Sequence, residues 1–269
     1  MRSEKEMLEL IRNTAKEDER IRAVIMNGSR TNPNVDKDIF QDYDIEYIVH
    51  ETKSFREDKR WIDRFGERLY MQYPEDNSYY PNDVENYYAW LMQFRDGNRL
   101  DLTVCTLSHA INNMNNDRLT KILLDKDNIL PQIPDATDAD YWVKEPSEKQ
   151  FLDTCNEFWW CLNNVAKGLW REEIPYAMDM INMVVRPQLI RILGWKIGYE
   201  TSYRVSIGKS GKYIKRYLEK ENWDAFIKTY SSADISQIWK SVFIMCDLFD
   251  KVAKDVAYHM KFHYNETEA

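Results

Sequence analysis

The chain has 269 residues, 43% of them hydrophobic and 30% charged, which is enough apolar material to bury a core and excludes a disordered tail. It contains no run of about 18 apolar residues that could cross a membrane, and its opening, MRSEKEMLELIRN, lacks the apolar core and cleavage site of a signal peptide. Thirty-seven basic against 45 acidic residues give a net charge of −8, which disfavours non-specific binding to DNA or RNA and is compatible with a cationic small substrate.

In chain order, residues 1–19 place Met7, Leu8, Ile11 and Ala15 on one side, the pattern of an amphipathic helix. IRAVIMN at 21–27 reads as a buried strand that ends in a turn at Gly28-Ser29. Residues 31–41, with Asn32, Pro33 and Asn34, form a loop or a distorted first helical turn. YDIEYIV at 43–49 has strand composition, and 55–71 reads as a helix. NYYAWLMQF at 86–94 and RLDLTVC at 99–105 flank Asp96-Gly97-Asn98, a hairpin pattern. A short helix near 107–116 and the apolar run KILLD at 121–125 follow.

Pro131, Pro134 and Pro146 punctuate a polar stretch, so a domain boundary is expected between about 131 and 148, dividing the chain into 1–140 and 141–269. Helical spacing dominates from there, over 148–170, 174–200, 209–220, 222–230 and 234–262. Seven of the nine tryptophans lie from Trp142 onward. The expected fold is therefore α+β: an N-terminal sheet with flanking helices and a C-terminal all-α bundle. Cys105, Cys155, Cys161 and Cys246 form no CxxC pair and sit among apolar residues, as reduced core cysteines of a cytoplasmic protein do.

The residues that carry chemistry are Gly28-Ser29, then Asp42-Tyr43-Asp44 after twelve residues, and later Asp101. On a strand, i and i+2 face the same way, so Asp42 and Asp44 project together. Asp101 lies with Arg99 and Thr103, opposite Leu100, Leu102 and Val104. If these strands are neighbours, three carboxylates converge. Such a cluster repels itself unless a cation sits within it, and hard oxygen donors select Mg²⁺ or Mn²⁺. The Gly28-Ser29 turn lets backbone N–H groups and a hydroxyl approach a polyphosphate. The bland alternative pairs Asp101 with Arg99 or Arg95 in a surface ion pair.

The Gly-Ser, Asp-x-Asp and later-acid pattern resembles the polymerase-β-type nucleotidyltransferase superfamily. The longer strings MNGSRTNPNVDKDIFQDYDIEYIV and GNRLDLTV resemble the aminoglycoside 6-adenylyltransferases, which modify streptomycin. The resemblance extends over most of the chain. It implies an N-terminal nucleotidyltransferase mixed sheet with a helical domain that binds substrate or nucleotide. It also implies ATP as co-substrate and Mg²⁺, two ions, held by Asp42 and Asp44. Asp101 would be a third ligand or the base, and Gly28, Ser29 and Arg30 would hold the triphosphate. The aminoglycoside's cationic groups call for acidic and aromatic partners, for which Trp170, Asp179 and Glu145 are the candidates. A monomer or weak dimer is expected, with no nucleic-acid or membrane partner. Transfer to another acceptor, or a silent nucleotide-binding module, are the rival readings.

Other signals are weaker. SIGKSGKYIKR at 206–216 is no Walker motif, because that motif needs glycine where Tyr203 stands, yet Lys209 and Lys212 are candidates for phosphate contact. His259 and His263 have the spacing of a helical metal pair, but favourable placement at a helix C-terminus is the simpler account. Phe158-Trp159-Trp160 reads as bundle core. Tyr79-Tyr80 and Tyr87-Tyr88 suit strand and loop packing, or one of them lines an adenine pocket.

Overall fold

A computed structural model describes residues 1–79, 82–114 and 116–267; Tyr80 lies outside them. The chain divides into two compact units, Met1–Asp140 and Tyr141–Ala269.

The first unit begins with α1 (Glu4–Glu17), whose start is fixed by Ser3 and Glu6 capping each other's backbone N–H. Next come β1 (Ile21–Asn27), a 3₁₀ turn over Gly28–Thr31, β2 (Tyr43–Val49), the short α2 (Lys53–Glu57), β3 (Arg68–Gln72), β4 (Tyr87–Phe94), β5 (Arg99–Thr106), α3 (Leu107–Asn113) and β6 (Thr120–Asp125). The six strands form one mixed sheet in the order β3-β4-β5-β2-β1-β6. Only β2 and β5 run parallel; their neighbours pair antiparallel.

Strand alternation gives the sheet two different faces. Met26, Tyr43, Ile45, Tyr47, Leu100, Leu102 and Val104 join Met7 and Ile11 of α1 and Phe55, Trp61 and Phe65 in the larger core. The opposite face buries a smaller set, Ala23, Ile25, Ile48 and Cys105 with Ala110 and Met114. That smaller cluster covers one end of its face. The polar residues of the same strands occupy the other end.

The helix expected over 55–71 is not continuous. A five-residue helix is followed by a 3₁₀ turn over Trp61–Phe65, ended by Gly66 at φ 121°. Trp61, Ile62 and Phe65 are all buried from that tight turn. Arg68–Gln72 then pairs along β4 as an edge strand. Core burial of aromatic residues thus overrides helical spacing here.

The second unit is all-helical. It holds α4 (Glu148–Trp170), α5 (Ile174–Asp179), a π-helical stretch over Met180–Val185, α6 (Arg186–Glu200), α7 (Lys220–Lys228) and α8 (Ile235–Met260). Its core runs from Phe151, Phe158 and Val165 through Leu189, Ile192 and Leu193 to Met245, Phe249 and Val256, with Phe158 and Phe249 stacked at 3.7 Å. The expected helix 174–200 is present but widened in the middle. Pro187, in the first turn of α6, has no N–H and crowds the preceding turn, which is a recognised cause of such a bulge. The expected helix 209–220 is absent: Gly208, Ser210 and Gly211 all take positive φ, leaving two short 3₁₀ turns. Helix α8 stops at Met260 with Lys261 left-handed, so His263 lies beyond it and shares no helical face with His259. His259 instead stacks on Tyr199 at 3.9 Å.

Cys105, Cys155 and Cys161 are buried and all four cysteines are free. Among the described residues no helix is long and apolar enough to cross a membrane.

Candidate active site

The polar end of the sheet face is set by register. Asn27 of β1 pairs with Asp44 of β2, and Asp44 pairs in parallel with Asp101 of β5. Asp44 and Asp101 are therefore neighbours on adjacent strands with side chains on the same face. Asp42 stands just before β2, and Gly28 follows directly after Asn27. The turn and the acids are packed closely enough that a Cβ on Gly28, whose φ is +73°, would stand 2.2 Å from Asp44 Oδ2. Only glycine fits that approach.

Mutual repulsion is visible in the proton affinities. Burial, then the charges of Asp101 and Asp42, push Asp44 up to about 6. Burial also raises Asp42, with Arg99 opposing and Asp101 adding to the rise. The compensating charge is Arg99, on the same face of β5. Its Nε and Nη2 each donate to an oxygen of Asp101 at 2.8 Å. Its Nη1 lies 3.5 Å from Asp42 Oδ2. Of the two arginines considered for Asp101, Arg95 is engaged with Glu67 instead.

The donor set suits a divalent cation: three hard carboxylates carry more negative charge than Arg99 cancels. As they stand, however, no three His, Cys, Asp or Glu side chains among the described residues are grouped so as to hold an ion.

Ser29 sits in the turn with its hydroxyl unbonded among the described residues, while its carbonyl accepts from Asn32 N–H and Gln41 Nε2. Arg30, expected at the triphosphate, makes no hydrogen bond to the carboxylates among the described residues, although its charge opposes the rise of both Asp42 and Asp44. Its Nε and Nη2 donate to the carbonyls of Asp42 and Gln41, and its guanidinium lies 3.7 Å from the Tyr43 ring centre. Tyr43 points into the larger core, so Arg30 is drawn to that side and braces the loop.

Sequence reasoning missed a second polar row beside the acids. Thr120 Oγ1 donates to Asn27 Oδ1, and Asn27 Nδ2 donates to the largely buried Glu46 at 2.8 Å. Burial raises Glu46, with His109 opposing. The alternation Asp42, Asp44, Glu46 was the available signal. Gln41 Oε1 is buried without a partner among the described residues. Tyr87 packs on His109 at 4.8 Å, Tyr88 is buried, and Tyr79 is exposed.

In the helical unit, Glu145 lines a cavity of about 570 Å³ with Asp153, Glu157, Arg191 and Trp195. Trp170, at the end of α4, is 87% exposed, and Asp179 is exposed at the end of α5. Lys209 and Lys212 are exposed and have no acidic partner among the described residues; Lys212 Nζ lies 5.0 Å from the Tyr213 ring centre. The aromatic run divides: Phe158 is core, whereas Trp160 turns outward.

Comparison with known proteins agrees over the whole chain. The family model described as streptomycin adenylyltransferase matches residues 1–269. An aminoglycoside 6-adenylyltransferase of Bacillus subtilis (strain 168) is 43% identical over 265 residues, 98% of this chain and 93% of the relative. One from Campylobacter jejuni is 41% identical over 264 residues, 98% of this chain and 91% of the relative. A solved structure described as an aminoglycoside 6-adenyltransferase from Bacillus subtilis is 38% identical, covers 100% of this chain and 95% of its own, and aligns with a TM-score of 0.47.

Proposed function

The chain belongs to the streptomycin adenylyltransferase family and is a nucleotidyltransferase, and from that premise we propose that it transfers AMP from ATP to a hydroxyl of streptomycin, the 6-hydroxyl. Pyrophosphate leaves, the reaction depends on Mg²⁺, and modification of the drug confers resistance. The observation that carries this reading is the row Asn27–Asp44–Asp101, with Asp42 beside it and a Gly-Ser turn against it.

In this reading the acceptor oxygen attacks the α-phosphorus and the bond to pyrophosphate breaks on the opposite side. Asp42 and Asp44, with Asp101, would hold two Mg²⁺ ions, which when bound supply charge neutralisation at the attacking and leaving oxygens. Asp101 serves as the third ligand or takes the proton of the attacking hydroxyl. Ser29 presents a hydroxyl that is unbonded among the described residues to the triphosphate. Gly28, whose own N–H is taken by the Leu119 carbonyl, lets the phosphates come close to the turn, and Arg30 adds its charge while bracing the loop. Lys209 and Lys212 contact phosphate from the helical domain, 141–269. That domain also receives the aminoglycoside, whose guanidinium groups suit Trp170, Asp179 and Glu145. The working unit is a monomer or weak dimer acting in the cytoplasm, with no nucleic-acid partner.

The test is mass spectrometry of streptomycin after incubation with ATP and Mg²⁺, together with pyrophosphate release with and without the drug. A mass gain of one AMP and strict dependence on streptomycin are expected. Asp42→Asn and Asp44→Asn abolish turnover while the folded circular-dichroism spectrum persists. Retained Mg²⁺-dependent adenylylation in both variants rejects the metal assignment. An unchanged streptomycin KM in Asp179→Asn removes that residue from the acceptor site.

A further inference from the structure

The acidic trio has a cation of its own, and its geometry says what that cation does. Arg99 and Asp101 are two apart on β5, so both side chains emerge on the same face. The fork uses both oxygens of Asp101, at 2.8 Å each, and reaches toward Asp42 at 3.5 Å. Bidentate arginine bonds of this kind are directional as well as charged. A metal ion taking an oxygen of Asp101 therefore competes with a guanidinium N–H, and one taking an oxygen of Asp42 must approach the same positive charge. Consistent with that, the acids as they stand are not grouped to hold an ion.

Arg99 is also free to leave. Among the described residues its guanidinium hydrogen-bonds only to Asp101 and forms ion pairs only with Asp101 and Asp42. Its side chain is 43% exposed, against 19% for Asp101. Swinging the guanidinium into water empties no core position, whereas moving Asp101 would disturb the sheet. The movable partner of the pair is the arginine.

We propose that Arg99 is the resident counter-ion of the Asp42, Asp44 and Asp101 cluster, and that it competes with divalent cations for Asp101 and Asp42 and so sets the metal affinity of the enzyme. The proposal rests on the metal reading given above. Arg99 is a positioning residue: it holds the acids together while the metal is absent and yields them when it arrives. Asp44, which the fork does not reach, is the acid open to the first ion.

Mn²⁺ itself is the probe. The full-length chain is titrated with Mn²⁺, and the free ion is followed by electron paramagnetic resonance in wild type, Arg99→Gln, Arg99→Lys and Asp44→Asn. Arg99→Gln should bind Mn²⁺ at least tenfold more tightly than wild type, about 1.4 kcal/mol. It should also melt lower than wild type in EDTA and regain that difference as Mn²⁺ is added. Arg99→Lys keeps the charge without the fork and should tighten binding by a smaller factor. If Arg99→Gln does not fold, Arg99→Lys decides: affinity equal to or weaker than wild type overturns the proposal. If Asp44→Asn abolishes Mn²⁺ binding but Arg99→Gln binds no more tightly than wild type, the counter-ion role is wrong and the metal site stands. If wild type and Asp44→Asn titrate alike, the metal reading falls, and the counter-ion with it.

Discussion

Gly28 offers a test in which backbone strain and site geometry can be separated. Its φ is +73°, and an added Cβ would lie 2.2 Å from Asp44 Oδ2 and 3.1 Å from Asp44 Cγ. Alanine in that conformation costs about 1–2 kcal/mol of backbone strain. It must also push aside a carboxylate that is largely buried between β1 and β5. Gly97, in the turn between β4 and β5, is the matched control. Its φ is +90°, but its Cβ would meet only the terminal methyl of Met1, at 2.7 Å, which can move. Gly97→Ala should therefore lose about 1–2 kcal/mol, a melting shift of roughly 2–8 °C for a unit of this size, and Gly28→Ala at least as much, because the carboxylate must also move. Only Gly28→Ala should lose catalysis, by about 10²-fold or more, since a displacement near 1 Å at a reacting centre costs that much. The assays are thermal melting and streptomycin-dependent pyrophosphate release. Equal activity in the two variants would refute the claim that the turn and Asp44 form one unit.

Further outcomes follow from the charges. Burial alone would raise Asp18, but the Arg20 fork, the Arg20 N–H and the Trp61 indole N–H outweigh it and hold its carboxyl at about 2. An acid with a depressed folded value stabilises the protein above its unfolded value and loses that contribution as pH falls, here between about 4 and 2. The gap from 3.8 corresponds to at most about 2.4 kcal/mol, and solvent around Arg20 screens it to roughly 1–2 kcal/mol. Asp18→Asn should lose that amount at pH 7 and show a flatter acid limb in urea titrations. Asp44 has the opposite sign. Its carboxyl, raised to about 6, ionises at a cost that grows between about pH 4 and 6 and is full above it. Asp44→Asn should therefore melt higher than wild type in EDTA at pH 7, by roughly 1–2 kcal/mol, and match it near pH 4. Arg186 is buried without a carboxylate partner among the described residues, bonded to Thr229 Oγ1, the Thr229 carbonyl and Asn182, and stacked on Tyr230 at 3.7 Å. Arg186→Met keeps the volume but strands the Thr229 carbonyl, so a loss of about 1–3 kcal/mol is expected in chemical denaturation.

What could be read from the sequence was local. The strands expected at 21–27, 43–49, 86–94 and 99–105 and the helices expected at 148–170 and 234–262, the last observed as Ile235–Met260, announce themselves through alternation, caps and turn residues within a dozen positions. The misreadings came where distant packing decided. Residues 55–71 have helical spacing, but Trp61 and Phe65 are drawn into the core beneath the sheet, and β3 has a strand edge to complete. Residues 209–220 have helical spacing too. There Gly208, Ser210 and Gly211 adopt the left-handed region and end any helix before it forms.

The site divides along the same line. That Asp42 and Asp44 share a side follows from strand geometry alone, and so does the face on which Asp101 lies. Which strands touch does not: β2 and β5 are separated by two strands and some fifty residues of chain, and their parallel register, Asp44 against Asp101, is fixed by the apolar partners Tyr43–Leu100 and Ile45–Leu102 on the other face. A slip of one residue in that register would turn the acids of one strand into the larger core, where an unpaired charge is costly. The apolar face therefore enforces the acidic one. The two readings of Asp101, ion pair or site acid, are then not exclusive. A carboxylate held among like charges needs a cation beside it, and Arg99, two residues away on the same strand face and partly open to solvent, supplies it without committing the core.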